Sequence, residues 1–203
     1  MASQARARYE IKIADVQSLL EIHSEQGGTG RGRRKTRLRV LHKAAIALLV
    51  AAWETYIETV LEEAAMALLT EVFLSLSPPA SRLKKKRNWI QDQQDLIKVN
   101  VQQVTKRFNT ADSRNVKQLF SSVLGIANIC IKWNRQGMDW EKAKTALDQL
   151  LAERHRIVHG STVDPEYSKT DVSNWRAFIT ITVNRTDDAI GDHLHSLTGK
   201  FPW

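Results

Sequence analysis

Apolar residues recur along this chain mainly at three- and four-residue spacing, the signature of helices that bury one face. A first helix is expected from about Ser3 to Ser24, with Tyr9, Ile13, Val16 and Leu20 on one stripe, broken by Gln26-Gly27-Gly28-Thr29-Gly30. A second begins near Thr36 and continues to about Leu76, with Leu41, Ala45, Leu48, Ala52, Tyr56 and Val60 as its seam and no glycine or proline before Pro78-Pro79. A helix of that length must pack along most of its surface, within the protomer or across a partner.

The segments that follow are shorter. Arg82 to Leu96 is a polar helix, and Lys98 to Asp112 fits strand or helix, because Val99, Val101 and Val104 suit both. A clear helix is expected over Asn115 to Ile131, carrying Val116, Leu119, Phe120, Val123, Leu124 and Ile126. After a loop at Gln136-Gly137, Asp139 caps a helix with Trp140, Ala143, Leu147, Leu150 and Leu151 on its apolar side. That helix stops at Gly160, a left-handed C-terminal position. Over Asp171 to Leu197 the run Ile179-Thr180-Ile181-Thr182-Val183 alternates like a strand, yet Trp175, Phe178, Ile179, Ala189, Ile190, Leu194 and Leu197 fit a helix better. No repeat interrupts this order. The expected fold class is an all-α bundle, organised as an N-terminal helix and basic loop (1–35) ahead of a helical domain (36–203).

Composition narrows the class of protein. The chain has 203 residues, 42% of them hydrophobic and 26% charged, which suits one globular domain. Its net charge of +8 suits a polyanionic partner. Cys130 is the only cysteine, so no intrachain disulfide is possible and a reducing compartment is expected. The N-terminus lacks the apolar stretch of a secretory signal. The longest wholly apolar run, Ala44 to Trp53, is too short to span a bilayer. These features predict a cytoplasmic protein without a membrane partner.

The chemistry concentrates in Leu150-Leu151-Ala152-Glu153-Arg154-His155-Arg156-Ile157-Val158-His159-Gly160, an apolar helix ending in a knot of arginine and histidine. Three readings compete. In the first, an imidazole takes the proton of a ribose 2′-hydroxyl while a guanidinium grips the phosphate, so RNA is cut without a metal. Residues five apart lie roughly 140° apart on a helix, so Arg154 and His159 converge only through a distorted last turn or across two protomers. In the second, His155 and His159, four apart and on one face, hold a metal. Arg156 stands where a metalloprotease helix has Glu, no third ligand is evident, and flanking arginines repel a cation. In the third, the cations simply meet the helix dipole at its C-terminus.

Arg154-His155, three further residues and then His159 resembles the ribonuclease motif of the HEPN superfamily: Arg, a polar residue, three to five arbitrary residues, His. Further features resemble its RiboL-PSP-HEPN branch, namely Ala51-Ala52-Trp53-Glu54-Thr55-Tyr56-Ile57-Glu58 on the long helix, Asn115-Val116-Lys117-Gln118-Leu119-Phe120 leading to Leu124-Gly125-Ile126, and the closing Ile157-Val158-His159-Gly160. The resemblance spans roughly residues 36 to 198. It implies four core helices with additional ones, and an endoribonuclease with no metal or other cofactor. It further implies a homodimer whose two motifs line one RNA cleft, often a toxin or defence effector restrained by an antitoxin or regulatory protein, although some members only bind. Many members have Asn where this chain has His155, which stands either to help the proton chemistry or to orient Arg154. Glu54 is a further candidate: it orients Arg154 through a salt bridge, as in some relatives, or is an ordinary solvated carboxylate.

Arg31, Arg33, Arg34 and Lys35 in one cluster, Lys84, Lys85, Lys86 and Arg87 in another, and Arg156 at the motif are candidates for holding RNA phosphates. The alternative is a solvated face or linker. Trp53, Trp140 and Trp175 sit at apolar periodic positions and belong in the core, whereas Trp89, beside the second cluster, is placed to stack on a base.

Overall fold

A computed structural model describes residues 2–26, 33–75, 91–92, 95–96, 99–104, 110–160 and 166–203. The helices are α1 (Gln4–Gln26), α2 (Arg33–Ser75), α3 (Ser113–Leu124), α4 (Trp140–His159) and α5 (Lys169–Thr198), with a short 3-10 helix at Ile129–Trp133 between α3 and α4. Residues 99–104 are helical as well, which resolves the described part of the ambiguous valine stretch in favour of helix. The all-α expectation holds, and no strand occurs among the described residues.

Local chemistry sets the ends. Asp112 accepts from the Asn115 amide at 2.7 Å and Asp139 from the Lys142 amide at 2.8 Å, each satisfying an N-terminal donor of its helix. α5 opens on a reciprocal box, in which Ser168 Oγ accepts from the Asp171 amide and the Asp171 carboxylate accepts from the Ser168 amide. The strand-like Ile179–Val183 run is helical: Thr182 and Thr186 turn their hydroxyls back onto the carbonyls of Phe178 and Thr182. One helix is shorter than its apolar pattern suggests. α3 stops at Leu124 because Gly125 takes φ 72° and returns its amide to the helix, so Ile129 and Ile131 belong to the separate 3-10 turn.

α2 is the spine. Residues 39–71 are long and apolar enough to cross a membrane, but 56% of the most apolar window is buried inside the fold, as in a core helix. Its buried face is wider than the seam expected from spacing, taking in Ile46, Leu49, Val50, Trp53, Ile57 and Leu61, while Leu48 is exposed. Aromatic rings tie the layers together. Trp53 meets Trp133 edge-on at 6.0 Å, and Tyr56 meets Tyr9 of α1 at 6.2 Å. Each buried polar tip has a partner: Trp53 Nε1 donates to the Ala111 carbonyl, and Trp133 Nε1 donates to Thr186 Oγ1. Trp140 and Trp175 pack on this core half-buried. Trp133, fully buried, is a core residue that the apolar spacing did not single out.

α1 shares that core through Ala5, Tyr9, Val16 and Leu20. Its first amides end on carboxylates of two other helices. Glu63 accepts from Gln4 and Ala5, each at 2.9 Å, and Asp187, 1% exposed, accepts from the amide and hydroxyl of Ser3. Asp187 also takes the Tyr56 hydroxyl at 3.4 Å. Burial and this carboxylate together push the Tyr56 phenol well above its usual value.

Candidate active site

α4 packs against α2 with Arg154 near enough to Glu54 for its charge to act there, and in its last turn Ile157 packs on the core while Arg156, Val158 and His159 are exposed. The helix stays regular through His159. No distorted last turn draws Arg154 and His159 together, so within one chain they face apart by about 140°. Arg154 is half-buried on the side towards α2. His155 and His159 are exposed on another side, their rings 4.4 Å apart at 40°, as i, i+4 spacing dictates.

Glu54 sits half-buried on α2, in a polar niche between α4 and Ala111. Burial pushes its carboxyl above the ordinary value, against the attraction of the Arg154 charge; Glu58 raises it further and a hydrogen bond from the Ala111 backbone lowers it. Glu54 and Arg154 make no direct ion pair within 4 Å, so the expected salt bridge is instead a through-space attraction. Arg156 points elsewhere. Its guanidinium pairs with the Glu153 carboxylate one turn earlier, and it is about half exposed.

The other basic candidates are placed less fully. Arg33, Arg34 and Lys35 form the first turn of α2. Arg31, Lys84, Lys85, Lys86 and Arg87, together with Trp89, lie outside the described residues. Among the described residues no group of three or more His, Cys, Asp or Glu is gathered as a metal would require.

Sequence spacing missed one layer around the motif. The chain returns from the α4–α5 connector at Glu166 and Tyr167, and both are held. Glu166 pairs with Arg39 at 2.6 Å, the Tyr167 hydroxyl donates to Glu153 Oε2 at 2.5 Å, and the Tyr167 carbonyl accepts from His42 Nδ1 at 2.6 Å. The Tyr167 ring meets Trp175 edge-on at 5.7 Å. Of this, only the Glu153–Arg156 pair at i, i+3 was legible in the sequence.

A model of the family described as RiboL-PSP-HEPN matches residues 10–192. The chain belongs to that family. No curated protein and no solved structure matches it. The match begins within α1 and closes near the end of α5, so the RiboL-PSP-HEPN assignment takes in the spine, the Arg–His helix and the connector alike. In this RiboL-PSP-HEPN chain the Arg-polar-x-x-x-His motif occupies the final turns of α4, with Arg154 facing the fold and both imidazoles facing solvent.

Proposed function

We propose that this RiboL-PSP-HEPN chain is a metal-independent endoribonuclease. The observation that carries the reading is one helix end that presents two imidazoles in ring contact and, on its inner side, a guanidinium in the field of a partly buried acid. Imidazole changes its charge near neutral pH and therefore both takes and returns a proton under physiological conditions. A guanidinium grips two phosphate oxygens at once and opposes the charge that builds on them. Glu54 serves to hold Arg154 in orientation.

In this mechanism His159 removes the proton from a ribose 2′-hydroxyl, and the freed oxygen attacks the adjacent phosphorus. The bond from phosphorus to the 5′-oxygen breaks, and a second imidazole protonates the departing oxygen. The products are a 2′,3′-cyclic phosphate and a 5′-hydroxyl, with atoms and protons balanced. Because Arg154 and His159 diverge on one helix, the reading includes a homodimer, in which the arginine of one motif serves the histidine of the other. His155 supplies or orients a proton donor. Arg156 and the basic residues Arg31, Arg33, Arg34, Lys35, Lys84, Lys85, Lys86 and Arg87 steer RNA by charge, a salt-dependent and sequence-blind attraction. A cytoplasmic toxin or defence effector, kept in check by an antitoxin or regulatory chain, is the setting that fits such an activity.

Incubation with RNA in EDTA is the decisive test. Cleavage that persists there, leaves cyclic-phosphate ends and disappears in His159→Ala supports the reading. Mixing inactive His159→Ala with inactive Arg154→Ala restores part of the activity if the site is composite. Cleavage that needs a divalent ion, or that survives in His159→Ala, overturns the reading. Tight RNA binding with no cleavage makes the chain a non-catalytic interaction module instead.

A further inference from the structure

From Ser113 to Met138 the chain contains no aspartate or glutamate, while Arg114, Lys117, Lys132 and Arg135 fall within it. That stretch forms α3 and the 3-10 helix, which pack on each other and on α4. Arg114 and Lys117 stand three positions apart on the exposed side of α3, and Lys132 is exposed in the last turn of the 3-10 helix. The acids at the borders of this stretch serve the helix ends. Asp112 caps α3, and Asp148 of α4 accepts from the Ser113 amide at 2.9 Å and its hydroxyl at 2.8 Å. Asp139 caps α4 and pairs with Lys142 at 3.3 Å. Glu141, exposed on the first turn of α4, offsets part of the surrounding positive charge.

α4 adds a further cation to this side of the molecule. The Lys144 ammonium rests over the Trp140 ring, 5.3 Å from its centre, an attraction that restrains an otherwise flexible side chain. Burial raises the Cys130 thiol, and the charges of Lys144 and Lys117 pull it back against Asp148, so α3 and α4 bring both ammonium groups towards one cysteine. The same face of α4 leads to the motif. Lys144 and His155 are eleven positions apart, close to three whole helical turns, which places them within about 20° around the axis and about 16 Å along it. α4 is a regular helix over that whole span.

We propose that Arg114, Lys117, Lys132 and Lys144 form a phosphate-binding surface that holds the RNA strand at a distance from the cut, in line with the two imidazoles. The proposal rests on the ribonuclease reading for the position of the cut, and on the charge and geometry of α3 and α4 for the surface itself. Contacts of this kind recognise the strand's backbone and not its bases, so they favour long RNA over short without choosing a sequence. An RNA too short to reach from His155 to Lys144 gains nothing from them.

Fluorescence anisotropy tests the surface, in His159→Ala with EDTA present, on RNA of about six and about twenty nucleotides. Lys117→Glu and Lys144→Glu should each weaken binding of the longer RNA about threefold, and the two together about tenfold. The double change should also reduce the slope of log Kd against log salt by about one to two, and leave the shorter RNA within about twofold. Arg8→Glu makes the same change in net charge on exposed α1, which packs on α2 and α5, and should leave the longer RNA within about 1.5-fold. In the active chain the double change should raise KM for the longer RNA about tenfold, with kcat within about twofold. The surface is overturned if longer RNA has no advantage in the parent chain, if the lysine changes leave its affinity and salt slope intact, or if Arg8→Glu weakens it as much. A fall in kcat at unchanged KM also overturns it. If the chain binds the longer RNA through these lysines but cuts none, the ribonuclease reading fails and the surface stands; if it binds no RNA at low salt, both fall.

Discussion

Gly125 and Gly160 both stop a helix at φ close to +72°, yet the chain does opposite things after them. Past Gly125 the peptide folds back onto α3, Ile126 packs against the core, and His193 of α5 donates from Nε2 to the Leu124 carbonyl at 2.9 Å. The following 3-10 turn then buries Ile129, Cys130 and Trp133. Burial pushes the Cys130 thiol up to about 11, which makes it a packing group and not a nucleophile. The Gly160 amide returns to no helix carbonyl among the described residues, and His159, Val158 and Gly160 are all exposed. A sealed end and an open end of similar φ therefore serve different purposes. The first extends the core; the second leaves two imidazoles accessible.

The comparison breaks most sharply at Trp133. Replacing it by alanine empties the sealed end and leaves Thr186 without its donor, for a loss of about 3–5 kcal/mol in chemical denaturation. Gly125→Ala keeps the core filled but forces a β-carbon into the left-handed region. It should cost about 1–2 kcal/mol, or about 2–8 °C in Tm, with kcat untouched. Gly160→Ala should reverse that pattern. At ψ 147° its backbone lies outside the left-handed region and is more hostile to a side chain, but with no return bond among the described residues to preserve, the strain should fall on the helix end and not on the core. Tm should then stay within about 2 °C while RNA cleavage falls about tenfold, roughly 1.4 kcal/mol of barrier. If both glycine variants lose stability equally, the distinction between the two ends is wrong.

Much of this was legible in the sequence, and the failures have physical causes. Asp139 as a cap and Gly160 as a stop follow from local backbone chemistry, so spacing alone found them. α5 was separable from a strand because apolar residues persisted at helical spacing beyond Val183, as far as Leu194. Ile126, Ile129 and Ile131 extended the apolar pattern of α3 past Gly125, and the left-handed glycine cut that pattern where periodicity did not. Leu48 read as core because it fits alternating four- and three-residue steps from Leu41 through Ala45 to Ala52. The bundle instead buries Leu49, since four helices (α1, α3, α4 and α5) pack on α2 and widen its inner face. At the motif, the divergence of Arg154 from His159 was readable from helical geometry. The approach of Glu54 to Arg154 took the form of attraction at a distance and not contact, because α2 and α4 cross without bringing the two groups within ion-pair reach. Glu153–Tyr167 was not readable at all: it joins residues across a connector whose path no local pattern specifies.

Glu54 supplies the mildest test, and its sign separates bracing from simple packing. Its carboxyl is raised in the folded chain, chiefly by burial, so between the unfolded value of about 4.3 and the higher folded value the native state binds more protons than the unfolded one. Stability attributable to this group therefore falls as pH rises through that window, and the ionised form is a net burden above it. Glu54→Gln removes the burden. At pH 7 the variant should be more stable than wild type by less than about 1 kcal/mol after allowance for solvent screening, and the gap should close as the pH is lowered to about 4. The same change removes the charge that attracts Arg154 and should lower RNA cleavage several-fold at pH 7. A variant that is both more stable and less active marks Glu54 as a brace for the arginine, held at a cost to the fold. A variant more stable and equally active makes the acid a solvated neighbour with no part in the site, and the attraction between α2 and α4 is then incidental to whatever the two histidines do.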